Sequence, residues 1–184
     1  MGKVIGVLVV SVLILVGISF AAVSLITKPV IAPTLSPSPQ ASAFPNSTLK
    51  QKVTIFLVSI EDNGSSGPKI GCNDSIIPVE REINESSNIL QATINELLGI
   101  QAQAYQQAGL YSAFYNSNLR AESAIIENGI ATIKIVGTLS PGGICDIPRI
   151  EEQLNRTVRQ FEQVKQVEMY INDKPLKEFL SEKG

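Results

Sequence analysis

Residues 123–136 read SAIIENGIATIKIV, two apolar-rich runs separated by Asn128-Gly129. Both central residues tolerate positive φ, as a type I′ turn requires, and that turn matches the twist of paired strands. The stretch predicts a β-hairpin with strands over 123–127 and 130–136. Downstream, Asp146 is placed to cap a helix with Pro148 in its first turn. Ile147, Ile150, Leu154, Val158 and Phe161 fall along one stripe of that helix. A last strand is expected over 167–171, where Val167, Met169 and Ile171 alternate with Glu168 and Tyr170.

Upstream the same plan is met once before. Residues 53–60, VTIFLVSI, are apolar on both faces and read as a central strand. Residues 61–68 have loop composition. Over 76–83, Ile77, Val79 and Ile83 oppose Glu80 and Glu82, as in a strand with one wet face. Ser86 or Ser87 is placed to cap a helix carrying Leu90, Ile94, Leu97 and Leu98, with Gly99 near its end. Residues 100–105 stay helical in character. The order is β-β-α-β-β-α-β, and two one-sided helices over a sheet with a polar outer face predict an α+β fold, a two-layer sandwich.

In front of this domain (51–184) lie two segments of different character. From Val4 to Ile26 no residue is charged, and 23 helical residues would reach roughly 34 Å, enough to span a bilayer. Lys3 and the amino terminus bias that end toward the cytoplasm, so residues 1–28 are expected to be a transmembrane signal anchor with the rest of the chain extracytoplasmic. A cleaved signal peptide is the rival, since Ser19-Phe20-Ala21 presents small residues at the two positions a signal peptidase reads; both readings export the domain. Residues 29–50, with Pro29, Pro33, Pro37, Pro39 and Pro45 among Ser, Thr and Ala, read as a semi-stiff linker.

Cys72 precedes the second strand and Cys145 the second helix. Outside the cytoplasm a disulfide is the natural inference. Closing 72 intervening residues would remove about 4 kcal/mol of denatured-state freedom on the chain-entropy model. A reactive thiol would want CxxC spacing or a basic neighbour, whereas Asn73, Asp74 and Asp146 adjoin these cysteines.

Composition narrows the chemistry. The 184 residues contain no histidine, which removes Ser-His-Asp and Cys-His catalysis and His-ligated zinc. Two cysteines cannot close a four-thiolate site, and neither a metal nor a cofactor is expected. Mean hydropathy is +0.17, raised mainly by the N-terminal run. Lys3, Lys28 and Lys50 are the only charges before residue 51, leaving 12 basic against 17 acidic residues in the domain, or −5. Nucleic acid is therefore not an expected partner.

Three sharper motifs fail on context. Ser66-Gly67-Pro68-Lys69 has SxxK spacing, but Gly and Pro oppose the helix that motif needs. Glu80 and Glu82 share a strand face without the aromatic cleft of a glycosidase. Glu61, Asp62 and Asn63 lack the spacing of a calcium loop. Tyr105, Tyr111, Phe114 and Tyr115 concentrate the aromatics, either as loop residues folded onto the core or as a partner-binding surface. Five Asn-x-Ser/Thr sites, at Asn46, Asn63, Asn73, Asn84 and Asn155, matter only where exported chains are glycosylated.

Over residues 53–173 the chain resembles the GerMN domain family of sporulation and spore germination. The carriers are the opening strand, then Ile77-Pro78-Val79-Glu80-Arg81-Glu82-Ile83 for the "pV.R.v" strand and Ala92 to Gly99 for the "aL..Ll.G" helix. Ile126 to Ile133 match the hairpin phrase, and Ile150, Thr157, Phe161, Val164, Val167, Met169, Ile171 and Asp173 match the closing phrase. The family's "GPt" loop and "s.ip.gt.l" approach are replaced here by 100–105 and 110–115. A subset of the family has cysteines before the second strand and second helix. The resemblance implies a ring-building-type, non-catalytic module of the cell envelope that binds an envelope protein or cell-wall ligand, or assembles as a homo-oligomer. An exported hydrolase using carboxylates on an envelope polymer is the alternative.

Overall fold

Strand β1 (Lys50–Ser59) pairs antiparallel with β2 (Ser75–Asn84) through ten residue pairs, from Lys50 opposite Asn84 to Ser59 opposite Ser75. The computed structural model describes residues 49–105 and 109–183. The expected anchor (1–28) and nearly all of the linker (29–50) lie outside the described residues. Among those described, no helix is long and apolar enough to cross a membrane.

Helix α1 (Ile89–Leu98) follows, its Leu90, Ile94, Leu97 and Leu98 buried as their spacing predicted. Its cap is Asn88 rather than Ser86 or Ser87: the Asn88 side-chain Oδ1 accepts from the Gln91 N–H at 3.0 Å. Residues 100–105 are not helical. They lead into β3 (Ala104–Tyr105), which pairs with β4 (Leu110–Tyr111), and Tyr111 pairs with Val58 of β1. Gln101-Ala102-Gln103-Ala104 favours a helix locally, but pairing of the following segment onto β1 overrides a preference worth only tenths of a kcal/mol per residue.

The hairpin comprises β5 (Asn118–Glu127) and β6 (Ile130–Thr138), with Asn128 at φ 52° and Gly129 at φ 84° in the turn. The amphipathic helix α2 (Asp146–Arg159) buries Ile150, Leu154 and Val158 and carries the chain to β7 (Gln166–Ile171), parallel to β6. Asn172 and Asp173, both at positive φ, turn β7 into β8 (Lys174–Pro175), and a short α3 (Leu176–Ser181) ends the domain.

The single sheet of the expected two-layer β-β-α-β-β-α-β sandwich is replaced by two four-stranded sheets, ordered β2-β1-β4-β3 and β5-β6-β7-β8. What keeps them apart is polar rather than apolar. On β1 the Thr54 and Phe56 backbone groups that face away from β2 bond to α2 side chains. Thr157 Oγ1 accepts from Phe56 N–H, Gln153 donates to Phe56 carbonyl, and Gln160 both accepts from Thr54 N–H and donates to Thr54 carbonyl. On β5, α1 plays the reciprocal part. Asn88 donates to the Ala124 carbonyl, Gln91 to the carbonyls of Ala121 and Glu122 at a β-bulge, and Asn95 accepts from Ala121 N–H. Each helix thus seals the open edge of the first strand of the other half. A sealed edge cannot pair with a further strand. The outer edge of β2 carries Pro78, which lies opposite Phe56 and so costs no ladder bond, and its Ile76 N–H goes to the Pro68 carbonyl.

Candidate functional site

A buried polar cluster ties the segment before β2 to the start of α2. Cys72 and Cys145 are joined, with their Cα atoms 5.8 Å apart. Each is followed within two residues by a buried aspartate, Asp74 (0% exposed) and Asp146 (1% exposed). Arg149, one turn into α2, binds both: Nε to Asp74 at 2.6 Å and Nη1 to Asp146 at 3.2 Å. Asp146 is not the helix cap predicted for it. Its carboxylate turns back to accept from the Gly142 N–H at 2.6 Å and from the Tyr111 hydroxyl at 2.8 Å, while Asp74 accepts from the Glu61 N–H at 2.8 Å. The Arg149 guanidinium stands 5.1 Å from the centre of the Tyr111 ring. Burial and then the hydrogen bond to Asp146 push the Tyr111 phenol well above its ordinary pKa. Burial works to lower the pKa of Arg149, but the two carboxylates outweigh it and raise it. These charges are spent on one another, and so the cluster holds segments together instead of presenting an acid or base to a substrate.

The aromatic residues divide. Phe114 has no exposed surface and Tyr111 is 5% exposed, so both belong to the core; Tyr115 is half-buried against Tyr111, ring centres 5.7 Å apart. The backbone of Tyr105 lies in β3. The cluster anchors the segment after β4 and offers no aromatic face at Phe114.

The remaining motifs are occupied. Asp62 accepts from Gly64 N–H, Ser66 N–H and Ser75 Oγ, bonds that hold its carboxylate far below the usual range, Ser75 contributing most. Asn63 accepts from Lys69 Nζ at 2.6 Å, leaving no converging oxygens for calcium, and the described residues contain no metal-ligating group of three. The same bond takes the lysine of the SxxK match. Glu80 pairs with Lys52 at 3.1 Å on an open strand face.

One concave surface stands out by size and chemistry, a groove of about 660 Å³ between the first turn of α1, the tip of the β5–β6 hairpin and the end of α2. Its floor is apolar: Ile89, Leu90, Ile125, Ile126 and Phe161, with Glu127 the only charge. Ile125 is 48% exposed, high for a large aliphatic residue. The signal in the sequence was its phase. Within β5, Ile125 falls on the outer side while Ala124 and Ile126 face the core, a break in an otherwise polar outer row.

Residues 54–177 match the profile of the Germane family, described as sporulation and spore germination. No curated protein matches the sequence at a significant level. Among solved structures, the tandem GerMN domains of the sporulation protein GerM from Bacillus subtilis align with TM-score 0.50 at 17% identity, over 73% of this chain and 43% of that one. The first GerMN domain of the same protein aligns with TM-score 0.50 at 14% identity, over 69% of this chain and 86% of that one. The chain thus spans less than half of the tandem structure, and at these identities the likeness is one of fold.

Proposed function

The chain belongs to the Germane family of sporulation and spore germination domains, and from that membership we propose that it is a binding module of the cell envelope, held outside the cytoplasm by its apolar N-terminal segment. Membership supports a non-catalytic module at the level of the family. The groove beside Ile125 is the observation that carries the finer reading: the buried ionisable groups face one another, whereas the groove presents open apolar surface with a single carboxylate at its margin. Such a surface suits an apolar stretch of a partner protein, a hydrophobic centre within a polar rim.

The test compares the full chain with an Ile125→Asp variant in capture from envelope extract, alongside an assay for turnover of purified cell-wall polymer. The reading expects one defined envelope protein to be retained, and its retention to fall about tenfold or more in the variant at unchanged melting temperature. Turnover of the polymer, or retention indifferent to Ile125, overturns it.

A further inference from the structure

The disulfide and the ion triad tie the same two segments. Cys72-Asn73-Asp74 and Cys145-Asp146 each bring a half-cystine and a buried carboxylate together, and both carboxylates converge on Arg149. Three further bonds fix the Cys72 segment without help from sulfur: Asn63 N–H to the Asn73 carbonyl, Ile70 N–H to the Asp74 carbonyl and Glu61 N–H to the Asp74 carboxylate, each 2.8 Å. Cys72 and Asn73 are nevertheless held at φ 59° and 60°, a left-handed conformation unfavourable for Cys in particular. Since the polar ties already place both residues, we propose that the Asp74–Arg149–Asp146 triad assembles the two thiols on the folded, reduced domain, so that the Cys72–Cys145 bond is an oxidation-dependent lock on an existing structure.

The chemistry follows exposure. Cys72 is exposed and Cys145 half-buried. The Cys72 thiolate attacks a low-molecular-weight disulfide such as glutathione disulfide, releasing one glutathione and leaving a mixed disulfide. The Cys145 thiolate then attacks the Cys72 sulfur and displaces the second glutathione. Two protein thiols are oxidised, one glutathione disulfide is reduced to two thiols, and the two thiol protons pass to the glutathione thiolates. Reduction reverses the exchange and leaves the Cys72 and Cys145 segments held by these polar ties, with β1, β5 and β6 still paired.

The full chain titrated with reduced and oxidised glutathione, in native buffer and in concentrated urea, gives the effective concentration of one thiol at the other. It should be on the order of a thousandfold higher in native buffer, the factor that closing this loop implies. Hydrogen exchange of the reduced chain should stay slow in β1, β5 and β6 and at the Glu61, Asn63 and Ile70 N–H groups that hold the Cys72 segment. Asp74→Asn should lower the native effective concentration about tenfold or more. If its reduced form unfolds while its oxidised form stays folded, the triad is likewise what holds the reduced domain. A wild-type chain that loses its near-ultraviolet circular dichroism on reduction in native buffer overturns the proposal. So does an Asp74→Asn chain that stays folded when reduced and keeps the wild-type midpoint.

Discussion

The side-chain amide of Gln160 faces the backbone of Thr54 as a neighbouring strand would, accepting from its N–H at 3.1 Å while donating to its carbonyl. Gln153, two turns earlier on α2, does more: it donates to the Phe56 carbonyl and accepts from the Ala113 N–H, both at 2.9 Å, from a fully buried position. Gln153→Ala leaves two backbone groups without partners, a loss of about 2 to 4 kcal/mol in urea unfolding, whereas Gln160→Ala, where water reaches the edge, should cost about 1 kcal/mol.

Gly137 separates backbone demand from ordinary packing. It sits at φ 123°, and a Cβ there would lie 2.1 Å from the Asn118 carbonyl oxygen. Asn172 clasps its N–H and carbonyl at 3.0 and 2.9 Å. Gly137→Ala should destabilise by about 3 kcal/mol or more, since the hairpin cannot close around it. Gly143→Ala, with nothing within 4 Å, should stay within about 0.5 kcal/mol of wild type. Thermal unfolding of the two variants side by side makes the comparison.

Removing Arg149 leaves two buried carboxylates facing each other, so Arg149→Met should cost about 3 to 5 kcal/mol, far more than breaking an exposed pair such as Lys52–Glu80.

Tyr111 gives the alkaline limb its sign. Its phenol pKa is raised on folding, so its stabilising contribution is complete below the unfolded value near 10 and is lost as pH climbs toward the folded value. The melting temperature of wild type should therefore fall more steeply above about pH 10 than that of Tyr111→Phe, the variant starting lower at neutral pH.

Asp62 acts at the other end of the scale with the opposite sign. Its pKa is depressed on folding, so the contribution is present above the unfolded value near 4 and lost as pH falls toward the folded one. Asp62→Asn should flatten the acid limb of the melting curve below about pH 4 and leave the alkaline limb as it was.

What the sequence made legible follows from the range of the interactions involved. The hairpin was readable because Asn128-Gly129 is a local demand on φ, and the apolar faces of α1 and α2 because periodicity survives any tertiary arrangement. The division into two sheets was not readable, since it depends on Asn88, Gln91 and Asn95 meeting β5 and on Gln153, Thr157 and Gln160 meeting β1, about a hundred residues away in the latter case. On a helix such residues read as an ordinary wet face. Asp146 misled for a similar reason: its place before Pro148 suits a cap, but Arg149 and Tyr111 compete for the same oxygens and win. The Asn172-Asp173 turn and the Leu176, Phe179, Leu180 spacing of α3 were local signals, legible in principle and absent from the predicted order. The groove rests on the phase of one residue, Ile125, and only the strand register shows which way it faces.

A photo-crosslinking residue placed at position 125 of the full chain in living cells asks most directly whether the groove is a binding surface, with the exposed Lys177 on α3 as the control position. The account predicts one discrete adduct with an envelope protein from position 125 and none from position 177. Equal labelling from both positions, or no adduct from position 125 while the chain is folded and abundant, would contradict it.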